Sequence, residues 1–198
     1  MKNVKLVLSV LTVTTLIASA HADVYKIDPA ASQIGWTASK ATGSSHNGNI
    51  QFKNGSIETK GTEIKSGSFA VDMNTLTNKD LEGSPEYQAK LVGHLKSDDF
   101  FMVTKHPESN FKITSIQKKS GDEYAVKGDL TMIGVTKPIE FPAKMTVTKD
   151  AIMADAILKL NRTNWGLKYG SKSFFKELVG DKIIKDEFDL ALKIVAKK

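Results

Sequence analysis

From about residue 24 onwards, apolar and polar side chains alternate with a period of two. That is the spacing of a β-strand, whose successive side chains point to opposite faces. Phe188, Leu190, Leu192 and Ile194 alternate with Glu187, Asp189, Ala191 and Lys193. The same pattern carries Ile139, Phe141, Ala143, Met145 and Val147, and again Tyr124, Val126, Gly128, Leu130 and Met132. Ile152, Ala154, Ala156, Leu158 and Leu160 form a fourth set. Shorter strands are predicted at 24–27, 34–38, 49–53, 68–73 and 111–116. One apolar and one polar face per strand is the mark of antiparallel sheet with one side on a core.

Turn residues separate these runs. Asn54-Gly55 and Ser120-Gly121-Asp122 are hairpin candidates, and Gly134 joins two long strands through the stretch 133–138. Roughly eight to ten strands at this spacing predict an all-β barrel or sandwich. Two stretches leave the pattern. Ser84, Pro85 and Glu86 stand in the order of an N-cap, a first helical position and an acidic first turn, and Tyr87, Leu91 and Leu95 follow at four-residue spacing. Residues 171–178 predict a second short helix ending at Gly180, with Phe174, Phe175 and Leu178 placed to cap an open barrel end.

Composition narrows the class. A chain of 198 residues is single-domain in length. It has no cysteine, which excludes disulfides, thiol nucleophiles and cysteine-ligated zinc or iron–sulfur sites. Residues 1–22 read as a cleaved secretory signal peptide. Lys2 and Lys5 form the basic start, an uncharged apolar run follows at 6–18, and Ala20-His21-Ala22 is the small-residue cleavage site. The run is too short to span a bilayer, which takes about 20 residues. The expected product is a soluble, exported, periplasmic domain spanning 23–198.

Of 28 basic residues, 27 are lysines, and Arg162 is the one arginine. Without the two lysines of the leader, 26 basic residues face 22 acidic ones, a net charge of about +4. The charges are interleaved and not gathered into a stripe, so they predict a solvated outer face and no nucleic-acid partner.

Catalytic signatures are absent. The sequence has no G-x-S-x-G elbow, no P-loop and no dinucleotide-binding glycine pattern. Asp98-Asp99 are neighbours, which on a strand would point apart and make a poor acid/base pair. His46, His94 and His106 do not stand at metal-ligand spacing, and the expectation is no metal and no cofactor. Aromatic placement is the remaining signal: Trp36, Phe52, Phe69, Phe111, Phe141 and Phe188 fall on the apolar faces. A barrel of about eight strands is either filled by such side chains or holds one small ligand. Periodicity does not separate the two cases.

Five segments in order carry a family resemblance. They are Asp28-Pro29-Ala30-Ala31-Ser32 with Ile34 and Trp36; His46-Asn47-Gly48; and the run from His94 through Phe100-Phe101, with His106-Pro107 and Phe111 after it. The fourth runs from Lys127-Gly128-Asp129-Leu130-Thr131 to Pro138, and the fifth is Asn161-Arg162-Thr163-Asn164-Trp165-Gly166 to Gly170. Together they resemble the YceI-like family of exported bacterial proteins across the whole mature chain. Met132-Ile133 departs from the family pattern, which has a histidine before that glycine.

The resemblance implies an extended, lipocalin-like antiparallel barrel of about eight strands with one or two short helices. It also implies a long apolar cavity for amphiphiles such as polyisoprenoids, isoprenoid quinones or fatty-acid derivatives, and a binding protein in place of an enzyme. Under that reading the tail contacts are Trp36, Ile50, Phe52, Phe69, Phe111, Ile113, Leu130 and Leu158. Phe100, Phe101 and Trp165 belong to the mouth or wall, and His46 and Arg162 are headgroup candidates. Arg162 has a competing role as a structural clamp on carbonyls or a carboxylate. Alternative classes are a filled barrel acting in protein interactions or stress, and a redox accessory using the histidines. Monomer and dimer are both compatible, since closure leaves no edge to pair.

Overall fold

A computed structural model describes residues 22–198; the signal-peptide reading of 1–22 lies almost wholly outside the described residues. Nine strands run in chain order: β1 (Ala22–Ile27), β2 (Gln33–Lys40), β3 (Ser45–Lys60), β4 (Glu63–Asp72), β5 (Glu108–Lys118), β6 (Glu123–Met132), β7 (Val135–Val147), β8 (Ala151–Asn161) and β9 (Ile184–Lys197). One helix, α1 (Pro85–Lys96), lies between β4 and β5.

From β3 to β9 each strand pairs antiparallel with the next, and β2 bridges β9 back to β3. The result is a closed eight-strand barrel. The ninth strand adds no ninth position: β2 takes the first half of β3 (Ile34↔Ile50 to Ser39↔Ser45) and β1 the second half (Ala22↔Lys60 to Lys26↔Ser56). Both also pair with β9, β1 through Ile27↔Ala196.

Closure leaves each strand one inner and one outer face, which is why the period of two is so regular. At one end the interior is solid. Tyr25, Ile152 and Ala196 are almost wholly buried there, and the Tyr25 hydroxyl donates to the carbonyls of Thr148 at 3.0 Å and Lys149 at 3.2 Å. That bond ties β1 to the β7–β8 turn and plugs the barrel.

The turns follow local chemistry, with corrections. Ser120-Gly121-Asp122 is a turn, with Gly121 at φ +55°. The β6–β7 hairpin is tighter than 133–138: Met132 pairs with Val135, and Ile133 (φ +43°) and Gly134 (φ +76°) make the two-residue bend that this geometry requires. Asn54-Gly55 is not a turn. Both residues lie inside β3, which runs on to Lys60 and turns at Gly61 (φ +63°). Gly55 is small for packing: a Cβ there would press on Ile27, Phe69 and the Ser68 carbonyl at 2.8–3.0 Å.

The helix beginning at Ser84-Pro85 forms as predicted, although the Ser84 side chain makes no capping bond. Its contact stripe is partly the predicted one: Leu95 faces the barrel, joined by Val92, while Tyr87 is 68% exposed. The second helix, 171–178, does not form. The Ser171 carbonyl accepts from both Phe174 N and Phe175 N, one turn that does not propagate. The Lys172 ammonium binds the Lys176 and Leu178 carbonyls, and a short 3-10 turn at Gly180–Lys182 follows. Phe174 and Phe175 stay about half exposed and cap nothing.

Candidate functional site

Above the Tyr25 plug the barrel is hollow. The lumen holds a cavity of about 190 Å³. Its lining reaches from Ile57, Ile64 and Ile194 near the plug to Leu95, Phe100, Leu167 and Ile184 at the other end. Ile184 and Ile194 lie ten residues apart on β9, about 33 Å of strand, or about 25 Å along the axis of a barrel with strands tilted by about 40°. The space is therefore long and thin. Its lining includes three polar residues, Ser109, Asp155 and Arg162, and is otherwise apolar. An engineered cavity of about 150 Å³ lined by Leu, Ile and Phe stays dry and takes benzene. A slightly larger lumen of nearly the same chemistry has few groups with which to hold water.

Four phenylalanines form one wall. Phe69 stands 6.2 Å from Phe52 and 6.3 Å from Phe111, and Phe111 5.7 Å from Phe141, ring centre to ring centre. The row stays flat against the wall because small residues lie behind it. A Cβ at Gly128 would overlap the Phe111 ring, and one at Gly67 would come 2.9 Å from Ile113 Cδ1 and 3.4 Å from Phe69 Cε2. Glycine at these two strand positions gives the rings room to lie back from the axis.

The far end is roofed by α1 and the loops on either side of it. The Trp36 indole N–H donates to the Thr77 carbonyl at 3.0 Å, and a Cβ at Gly48 would overlap that same carbonyl. The loop after β4 can thus lie directly on β2 and β3. Asn78 and Asp80 hold it there: Asn78 Nδ2 donates to the Asn47 carbonyl, and Asp80 accepts from Asn47 N at 2.8 Å. Burial would raise the Asp80 carboxyl. Hydrogen bonds from Asn47 N, His46 and Asn78 outweigh it and hold the group below the usual aspartate value.

Eleven apolar positions carry the expectation of tail contact, mouth or wall. Trp36, Ile50, Phe52, Phe69, Phe100, Phe101, Phe111, Ile113, Leu130 and Leu158 all line the lumen. Trp165 does not. It is 2% exposed, packs on Met132, Leu158 and Leu160, and donates from Nε1 to the Leu130 carbonyl at 2.9 Å. The 3-10 turn at Arg162–Trp165 seats its indole against these side chains, two of which, Met132 and Leu158, separate it from the lumen they line.

His46 is also displaced. It is paired with Asp80 at 2.7 Å, in β3 and away from the lumen. Arg162 touches the lumen but has the geometry of a clamp. It donates to the carbonyls of Leu167 (2.7 Å), Ile184 (3.1 Å) and Lys185 (3.1 Å), with Asp186 at 3.6 Å. Burial lowers the guanidinium from its ordinary value and Asp186 opposes this, and an arginine remains charged. Asp186 is pushed up by burial. The surrounding hydroxyls, Ser173 donating at 2.6 Å among them, and the Arg162 charge overcome this and leave it below the usual range.

The three histidines stand apart. His94 pairs with Asp99 at 3.0 Å between the rings of Phe100 and Tyr169, and His106 lies against Gly134. Asp98 turns the other way, to Lys105 at 2.8 Å. Among the described residues no group of three or more His, Asp or Glu side chains is placed to hold a metal.

Lining residues that periodicity could not reveal come from connections. Met73, Leu76, Leu95, Leu167 and Ile184 sit in or beside loops, where no alternating pattern marks an inner face. Phe141, Phe188, Leu190 and Leu192 did carry the signal, as members of long alternating runs.

A closed antiparallel barrel around a long, narrow apolar lumen places the chain among the hollow β-barrels. Known proteins of this shape agree. BcnA of Burkholderia cenocepacia superposes with a TM-score of 0.64 at 19% identity, over 86% of this chain and 99% of that one. A polyisoprenoid-binding domain from Saccharophagus degradans, implicated in plant cell wall breakdown, gives 0.62 at 15% identity, over 87% and 97%. A UPF0312 protein of Pectobacterium carotovorum is 36% identical over 94 residues, 43% of this chain and 48% of the relative. The chain thus spans about half the length of that curated relative. The model of the YceI-like domain matches residues 25–196, and the chain belongs to that family.

Proposed function

We propose that this protein is a binding protein for an amphiphile with a long, slender apolar tail, which the lumen encloses. The class is a polyisoprenoid, an isoprenoid quinone or a fatty-acid derivative. The observation that carries the reading is the lumen itself, a long, thin space with a row of phenylalanines and hardly a polar group. The polyisoprenoid-binding domain of similar fold supports it. The same reading makes the protein a carrier without catalysis, exported to the periplasm by the leader.

Burial of the tail would drive binding. Each methylene removed from water contributes about 0.8 kcal/mol, so ten carbons contribute about 8 kcal/mol against association costs of about 4 kcal/mol or more. That leaves about millimolar affinity with no hydrogen bond to the tail, and every two further methylenes buried tighten it at least about tenfold. A longer chain needs more room than about 190 Å³, and the Phe and Met side chains of the wall would have to shift for it.

Titration of the purified protein with a farnesyl-linked fluorophore tests this. Saturable binding, displaced by long-chain but not short-chain alcohols, is the expected result. A protein that purifies without lipid and also ignores the probe would overturn the reading in favour of an interaction-only barrel.

A further inference from the structure

The segment between Leu167 and Ile184 leaves the lumen and comes back to it. Both of those side chains line the cavity, and Ile184 N donates to the Gly170 carbonyl at 2.8 Å, closing the neck of the loop. Between them the loop turns its apolar residues outwards. Tyr169 is 44% exposed, Phe174 46%, Phe175 42% and Val179 69%. Of the other large exposed apolar residues, Val24, Tyr87 and Val135 stand singly on three elements and Met153 and Ile157 lie four residues apart on β8, so the loop holds the largest such group. A gathered apolar patch of this kind marks an interaction surface, where single exposed residues do not.

The patch is set among lysines. Lys168, Lys172, Lys176 and Lys182 share the loop with two acids, Glu177 and Asp181, and Asp181 is drawn to Lys40 at 3.8 Å. Lys168 lies over the Phe174 ring, its ammonium 4.7 Å from the centre. Aromatic side chains at the tip with ammonium groups around them fit the boundary between acyl chains and anionic headgroups. The patch is also continuous with the lumen rim, because the Tyr169 ring stands 5.2 Å from that of Phe100.

We propose that the loop from Lys168 to Ile183 docks on the surface of an anionic phospholipid bilayer. Phe174, Phe175 and Val179 enter the interface while the lysines meet the headgroups. Docking sets the rim of the lumen against the membrane, where a water-insoluble tail resides. The contact itself does not depend on what the lumen holds.

The test is co-sedimentation of the purified protein with vesicles of phosphatidylglycerol and phosphatidylcholine, and with phosphatidylcholine alone. We expect pelleting on the anionic vesicles, lost in high salt and weakened at least about tenfold by Phe174→Ser with Phe175→Ser, or by Lys168→Glu with Lys176→Glu. Val179→Asp, at a position 69% exposed, gives a further variant that leaves the barrel interior alone. All variants should bind the farnesyl probe in free solution as the parent does. Absent pelleting, equal pelleting on neutral vesicles, or variants that pellet like the parent would overturn docking without touching the lumen reading. Variants that lose probe binding in solution would show that the loop shapes the lumen, and would also overturn it.

Discussion

Gly128 and Phe111 are fitted to one another. The ring lies where the glycine's side chain would be, and so stays out of the lumen axis. Gly128→Ala is expected to push the ring inward, lower the melting temperature and weaken probe binding about tenfold, the scale of one buried methylene or two. Phe111→Leu in the same chain relieves the ring but not the Lys112 carbonyl, which a Cβ at Gly128 would meet at 2.6 Å, so it should recover binding while the melting temperature stays low, as titration and melting of both variants check. Arg162 is the other residue with an individual task. Its planar fork meets three carbonyls that a lysine could not reach together. Arg162→Lys is expected to cost about 2–3 kcal/mol in denaturant unfolding. Loss of probe binding at unchanged stability would mean that the arginine serves the ligand instead.

At the scale of elements, α1 and the barrel strands differ in what holds them. No residue of α1 is fully buried, and its N-cap side chain makes no bond. It rests on Val92 and Leu95, and on the neighbouring Gln88 and Lys96 reaching the carbonyls of Asn78 and Asn74. The central strand β8 is bonded to β9 along its whole length and to β7 over Ile152–Ala156, and β9 is bonded on both sides along most of its length. Hydrogen exchange should therefore release α1 amides at least about a hundredfold faster than those of β8, through local opening of the roof. Equal protection would mean that α1 opens only with the whole barrel.

Strands were the legible elements. The long runs at 139–147, 152–160 and 188–194 announced themselves because one face meets a core. Asn54-Gly55 misled because a turn dipeptide was standing in for a close contact with Ile27 and Phe69, which lies outside any local window. The failed helix at 171–178 misled because its phenylalanines have no core to face, so nothing stabilises a second turn.

For the whole molecule, acid sensitivity follows from carboxylates held below their ordinary value, of which Asp28, bonded to Lys197, is exposed and Asp186 and Asp80 are partly buried. Asp186 and Asp80 both lie below the ordinary aspartate value in the folded protein. Such groups contribute stability that is present above the unfolded value and lost as pH falls through the folded one. Stability should thus hold from neutral pH down to about pH 4 and decline below it. Asp186→Asn should lower stability at neutral pH and flatten the acid limb, as urea midpoints across pH will show. A limb as steep as the parent's would place the titration elsewhere.

Local chemistry was enough to establish an all-β chain, the faces of its strands and the family to which it belongs. Those properties depend on periods of two, turn residues and short motifs, all of which act between neighbours in sequence. Whether the barrel is hollow, where Trp165 and His46 point, and that Leu95, Leu167 and Ile184 share one rim depended on the fold. They follow from the pairing of β2 with both β3 and β9, from the loop seated on Gly48 and from the ring seated on Gly128. Each brings together groups apart in the chain through strand pairing and loop packing, which no local window contains.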